Sequence, residues 1–118
     1  MISLDGEQLP GSDFKINASF DMPSDDSSGT SSYIVKKEKG IKPKTINVSL
    51  MLGFNQTEEL DKLVKLAESL DENGVRKIYT IGNDLAKGMK IRQVKFDGRF
   101  NANEESGIRA WVVKFTLS

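Results

Sequence analysis

The feature that most constrains this chain is an ordered change of hydrophobic period across its last two-thirds. From Lys42-Pro43-Lys44-Thr45 onward, Ile46, Val48, Leu50 and Leu52 alternate with Asn47, Ser49 and Met51. A period of two puts successive side chains on opposite faces, so this segment is a strand with one face buried. From about Thr57 to Asp71 the period lengthens, and Leu60, Leu63, Val64, Ala67 and Leu70 share one face of a single amphipathic helix. Two long alternating segments then run to Leu117. The predicted fold class is α+β: a curved antiparallel sheet, open or barrel-like, with one packed α-helix. A chain of 118 residues suits one domain with one core, so 1–118 is read as a single domain with a flexible loop at about 23–44.

The remaining elements follow from the same patterns. Ile2, Leu4 and Leu9 fit a short first strand or ribbon that turns at Pro10-Gly11. Phe14, Ile16, Ala18, Phe20 and Met22 alternate strictly, which predicts a half-buried strand stopped by Pro23. Pro23 to Ser32 offers nothing to bury and is rich in turn formers. Asn55 or Thr57 is placed to cap the helix, Glu58–Lys62 and Asp61–Lys65 are spaced as ion pairs one turn apart, and Gly74 is placed to end it. Lys77 to Ile81 reads as a short strand followed by a turn at Gly82-Asn83-Asp84. Met89 to Phe100 alternates with a phase slip between Ile91 and Val94, which a bulge near Gln93 explains. Glu105-Ser106-Gly107 makes a hairpin turn. The last strand puts Trp111, Val113, Phe115 and Leu117 on one face and Ala110 and Val112 on the other, so it is central or faces a partner.

Composition removes whole classes of chemistry. The chain has no cysteine and no histidine, so thiolate nucleophiles, disulfides, histidine bases and the commonest metal ligands are all absent. Asp25-Asp26 and Glu104-Glu105 are adjacent acids in turns, not carboxylates opposed across a substrate. Asp5, Asp84 and Asp97 lack the spacing of a calcium loop, and no phosphate-binding glycine loop occurs, since no helix is expected after Gly82 or Gly88. No catalytic residue, cofactor or metal site is assigned, and the chain is read as a non-enzyme. The triplets at Asn17, Asn47 and Asn55 are read as chance, because Met1–Asp5 lacks the start of a secretory signal. No apolar run approaches the roughly 20 residues that span a bilayer, so no membrane partner is expected.

What remains is contact chemistry. Tyr33 and Ile34 are apolar residues stranded between polar stretches, and Lys36, Lys37, Lys39, Lys42 and Lys44 form a basic arm. These seven are the predicted protein interface. The arm also raises the alternative of a small nucleic-acid-binding module using residues 36–44. Seventeen basic against 17 acidic residues, with no arginine or aromatic pair in the arm, weighs against that. Trp111 is read as core packing ahead of an interface anchor.

The run Gly40-Ile-Lys-Pro-Lys-Thr-Ile-Asn-Val-Ser49 and the helical Leu63-Val-Lys-Leu-Ala-Glu68 resemble baseplate and tail-completion proteins of contractile-tailed phages and prophages. So do Arg76-Lys-Ile-Tyr-Thr80, Ile91-Arg-Gln-Val-Lys-Phe96 and Arg109-Ala-Trp-Val-Val-Lys-Phe115. The order of elements is similar to that of tail-terminator proteins and of the β-rich domain of LysM-type baseplate hub proteins, although no LysM module is present. The resemblance covers about residues 40–117, and the first 39 match only loosely. It implies a structural role in a tail or baseplate, with tube, hub, wedge or sheath proteins as partners and a homo-oligomeric ring as one arrangement. It also implies assembly in the host bacterial cytoplasm and a final place in the virion tail. Strand addition at an open sheet edge is one expected mode of contact.

Overall fold

The computed structural model describes residues 1–22 and 43–118. Their elements are β1 (Ser3–Leu4), β2 (Glu7–Gln8), β3 (Ser12–Ser19), β4 (Thr45–Gly53), α1 (Thr57–Glu68), β5 (Tyr79–Gly82), α2 (Asp84–Gly88), β6 (Gln93–Val94), β7 (Phe96–Glu105) and β8 (Ala110–Leu117). They form two four-stranded sheets, a small one ordered β2-β1-β5-β6 and a large one ordered β3-β4-β8-β7. Every strand pairing is antiparallel. The α+β expectation therefore holds, but barrel closure does not. The described strands divide into two open sheets instead of curling into one, and a second helix joins the expected one.

The division happens at Lys95. Upstream, Gln93 and Val94 pair with Thr80 and Tyr79 of the small sheet. At Lys95 the backbone exchanges two hydrogen bonds of 2.9 Å with Ser118, and from Phe96 the chain pairs with β8 of the large sheet. This crossing lies next to the phase slip attributed to a bulge near Gln93. The register shift itself falls between Asp97 and Asn101, where Gly98 takes φ +77°.

One apolar core joins both sheets. Ile46, Val48, Leu50 and Leu52 of β4 and Val113, Phe115 and Leu117 of β8 are buried, as are Ile2, Leu4, Tyr79, Ile81 and Val94 of the small sheet region. Aromatic rings span the junction: Tyr79 meets Phe96 edge-on at 6.1 Å, Phe96 meets Phe115 at 5.2 Å, and Phe100 stacks on Phe115 at 5.5 Å. Helix α1 buries Leu63 and Ala67 against this core, while Leu70 lies beyond its end and is exposed.

The ends of α1 differ from expectation. Gln56 is its N-cap residue and makes no side-chain cap; its Oε1 instead accepts from the Gly53 amide at 2.8 Å. At the other end, the last carbonyls have no partner within the helix. Ser69 Oγ donates to Lys65 O at 2.7 Å, Tyr79 Oη to Leu66 O at 2.7 Å, and Arg76 Nη1 to Ala67 O at 3.2 Å. The helix stops in extended backbone at Ser69. Gly74, at φ +81°, serves the following turn and not the helix. Of the two expected pairs, Asp61–Lys65 forms at 3.1 Å on the exposed face.

Two short features were not anticipated. Asp5 and Gly6, at φ +53° and +84°, close a two-residue hairpin between β1 and β2, the backbone that Asp-Gly favours. Asp5 also holds β5, its Oδ1 accepting from the Thr80 amide at 2.7 Å. Helix α2 follows Gly82, where no helix was expected; Asn83 caps it by accepting from the Ala86 amide at 3.0 Å. Strand β3 ends at Ser19, short of Pro23, and Phe20 and Met22 are exposed.

Candidate functional site

The alternation that buries one face of the large sheet commits the other to polar side chains. On β3 these are Lys15 and Asn17, on β4 Asn47 and Ser49, and on β8 Lys114 and Thr116. The strand register lines them up in rows across the sheet. One row reads Lys15, Ser49, Lys114 and Asn101; the next reads Asn17, Asn47, Thr116 and Asp97. A third places Met51 beside Val112, with Asn103 on the outer strand. Helix α1 and the apolar residues of the small sheet lie in the core on the opposite side.

This polar face holds a groove of about 510 Å³ bordered by Lys15, Asn17, Asn47, Ser49, Arg99, Asn101, Lys114 and Thr116. Thr116 Oγ1 donates to Asn47 Oδ1 at 3.0 Å, which fixes the middle of the groove floor. Three cations from three different strands face the groove, and among the described residues no carboxylate borders it. Among the described residues the sole ion pair is Asp61–Lys65, so none of the three cations is neutralised there. The arrangement can hold an anionic group by charge and by amide and hydroxyl hydrogen bonds.

Two other surfaces stand apart from it. A depression of about 810 Å³ beside α2 is bordered by Lys87, Lys90 and Arg92, together with the acid Asp84. Near the β7–β8 hairpin, Phe54 packs its ring 5.5 Å from Trp111, and Ile108 is exposed in the turn. Trp111 is thus half-buried against the core, with one side on Phe54. Among the described residues, no group of three acids could hold a metal ion.

Of the interface residues expected from sequence, Tyr33, Ile34, Lys36, Lys37, Lys39 and Lys42 lie outside the described residues, as does most of the loop expected at 23–44. Lys44 is described, and its ammonium is already engaged. It donates to Met89 O at 2.9 Å and sits 5.4 Å over the Phe20 ring. Lys15, Arg99 and Lys114 were not singled out, because they are far apart in sequence and meet only through strand register. The visible signal was that β3 and β4 each had a polar alternate face.

The fold and this face define an open-sheeted α+β protein whose exposed chemistry is one of cations, amides and hydroxyls. The chain belongs to the bacteriophage HP1 ORF34 baseplate complex protein family, whose sequence model matches residues 1–118. It is similar to an "Uncharacterized 20.8 kDa protein in lys 3'region" of Haemophilus phage HP1 (strain HP1c1), with 28% identity over 116 residues and 98% of this chain covered. The chain spans 62% of that relative's length. No solved structure matches the chain. Membership therefore agrees with the resemblance seen in the sequence and extends it over the first 39 residues.

Proposed function

We propose that this chain is a structural component of a phage or phage-like contractile tail, acting in baseplate or tail-tube assembly through protein–protein contacts and not through catalysis. The observation that carries the reading is the match of a baseplate complex family over the whole chain. The lack of any histidine or cysteine, and of a three-acid cluster among the described residues, supports a contact role. Nothing in the structure or the comparisons favours the nucleic-acid alternative. Tube, hub, wedge and sheath proteins are the partners this role supplies.

The test is to purify intact tails from cells producing the source phage or prophage, with and without an in-frame deletion of this chain. The expected result is the chain at constant stoichiometry in wild-type tails, and tails without a complete baseplate in the deletion, restored by a plasmid copy. Intact, infective tails from the deletion strain would overturn the reading.

A further inference from the structure

Residues that fold a sheet need not concentrate one sign of charge on it, yet among the described residues the groove on the outer face of the large sheet is bordered by cations and by no acid. Lys15 and Lys114 lie in one row with Ser49 between them. Two strand spacings separate them by about 10 Å. Arg99 borders the same groove from β7, and among the described residues no carboxylate does. At roughly a Debye length of about 8 Å, exposed like charges repel only weakly, so the arrangement costs the fold little. A carboxylate seated between them would interact with both.

We propose that this face seats an acidic polypeptide segment of a different protein in the baseplate complex. The inference rests on the structural role above and names the chemistry of one partner. Lys15, Arg99 and Lys114 would pair with its Asp or Glu side chains. Asn17 and Asn101 carry amides that can both donate to and accept from its backbone. Met51 and Val112, paired in the adjacent row and half-buried, offer an apolar contact beside the charges. An apolar centre with a polar rim is how protein interfaces are built.

A nucleic acid fits this surface poorly. A continuous polyanion crossing the face would meet Asp97, in register with Thr116, and Glu105, in register with Ala110. A short acidic segment avoids both. The cations beside α2 serve as an internal comparison, since Asp84 shares that depression with them.

The experiment is zero-length carbodiimide coupling, which joins lysine amines to carboxylates in direct contact, applied to purified tails and read by peptide mass spectrometry. Amine acetylation of free chain and of tails runs in parallel. The expected result is Lys15 and Lys114 coupled to Asp or Glu of another protein and protected from acetylation in tails. The double variant Lys15→Glu/Lys114→Glu should enter tails about tenfold less than wild type, as reversal of interfacial charge predicts. Lys87→Glu/Lys90→Glu should enter normally, and both variants should melt with the wild-type chain.

Full acetylation of Lys15 and Lys114 in tails would overturn the inference and leave the structural role standing. So would coupling only to a second copy of this chain, or protection that nuclease removes. Absence of the chain from tails would overturn the structural role itself, and this inference with it.

Discussion

Gly11 links β2 to β3 and so sets how β3 carries Lys15 into the groove. It takes φ +112°, a backbone that side chains rarely adopt. A Cβ placed there would lie 2.9 Å from Leu50 Cδ1 and 3.0 Å from the Met51 carbonyl oxygen. Leu50 is fully buried, and Met51 O belongs to the backbone of a central strand, so neither yields easily. Backbone strain of this kind costs about 1–3 kcal/mol, and overpacking a filled core about 1–3 kcal/mol more. Gly11→Ala should therefore lose roughly 2–6 kcal/mol. With an unfolding entropy of about 0.25 kcal/mol/K for 118 residues, the Tm should fall by about 8–24 °C. Gly74→Ala is the comparison: φ is +81°, but no atom lies within 4 Å of the added Cβ. It should lose only the strain, about 1–3 kcal/mol, or about 4–12 °C. The assay is thermal unfolding followed by circular dichroism, with urea midpoints as a second measure. Equal losses for the two variants would refute the close-packing argument and leave backbone strain as the whole effect.

Tyr79→Phe should cost about 1–2 kcal/mol, because it strips the hydrogen bond from Leu66 O at the end of α1 while keeping the ring against Phe96; an unchanged urea midpoint would refute it. Asn83→Ala should cost about 1–2 kcal/mol by removing the α2 cap and the bond from Asn83 Nδ2 to Met1 O, read as faster hydrogen exchange at the Ala86 amide. Val113→Ala should cost about 2–3 kcal/mol, since the side chain is fully buried at the centre of the large sheet. Lys65→Ala should move the thermal midpoint by less than about 2 °C, because its partner Asp61 is exposed.

The parts of the fold that were legible in the sequence are those where one period persists. Strand β4, helix α1 and strand β8 each keep their apolar spacing through at least two repeats, and that spacing alone places all three. What was missed is short or depends on distant pairing. The β1–β2 hairpin has strands of two residues, too brief for an alternation, although Asp5-Gly6 is a strong turn signal. Helix α2 spans five residues and announces itself only by its Asn83 cap. The passage from one sheet to the other at Lys95 leaves only the phase slip between Ile91 and Val94, which a bulge explains equally well. The candidate groove has the same origin. Lys15, Arg99 and Lys114 are separated by 84 and 15 positions, and only the register of four strands brings them together.

That register also bears on how the sheet can meet a neighbour. Among the described residues β3 and β7 are the outer strands of the large sheet, and an open edge is where another strand would add. Both edges are irregular. Strand β3 shifts register between Ser12 and Lys15, with Asp13 at φ +53°, and β7 shifts between Asp97 and Asn101 around Gly98. A bulge bends the strand and leaves a residue unpaired, and charges along an edge oppose further pairing. Asp13 and Lys15 on one side, and Asp97 and Arg99 on the other, supply those charges at the bulges themselves. Strand addition, the contact mode expected from the sequence, is thus disfavoured at those ends of the two outer strands. The face between them has no such obstacle: its backbone is paired, and among the described residues no ion pair neutralises its cations. Removing the β7 bulge by deleting both Gly98 and Arg99, the two residues in excess between Asp97 and Asn101, should then promote self-association through the edge without improving incorporation into tails. Sedimentation velocity on the deletion variant reads the first effect, and a variant that stayed as dispersed as wild type would show that the bulge does not guard the edge.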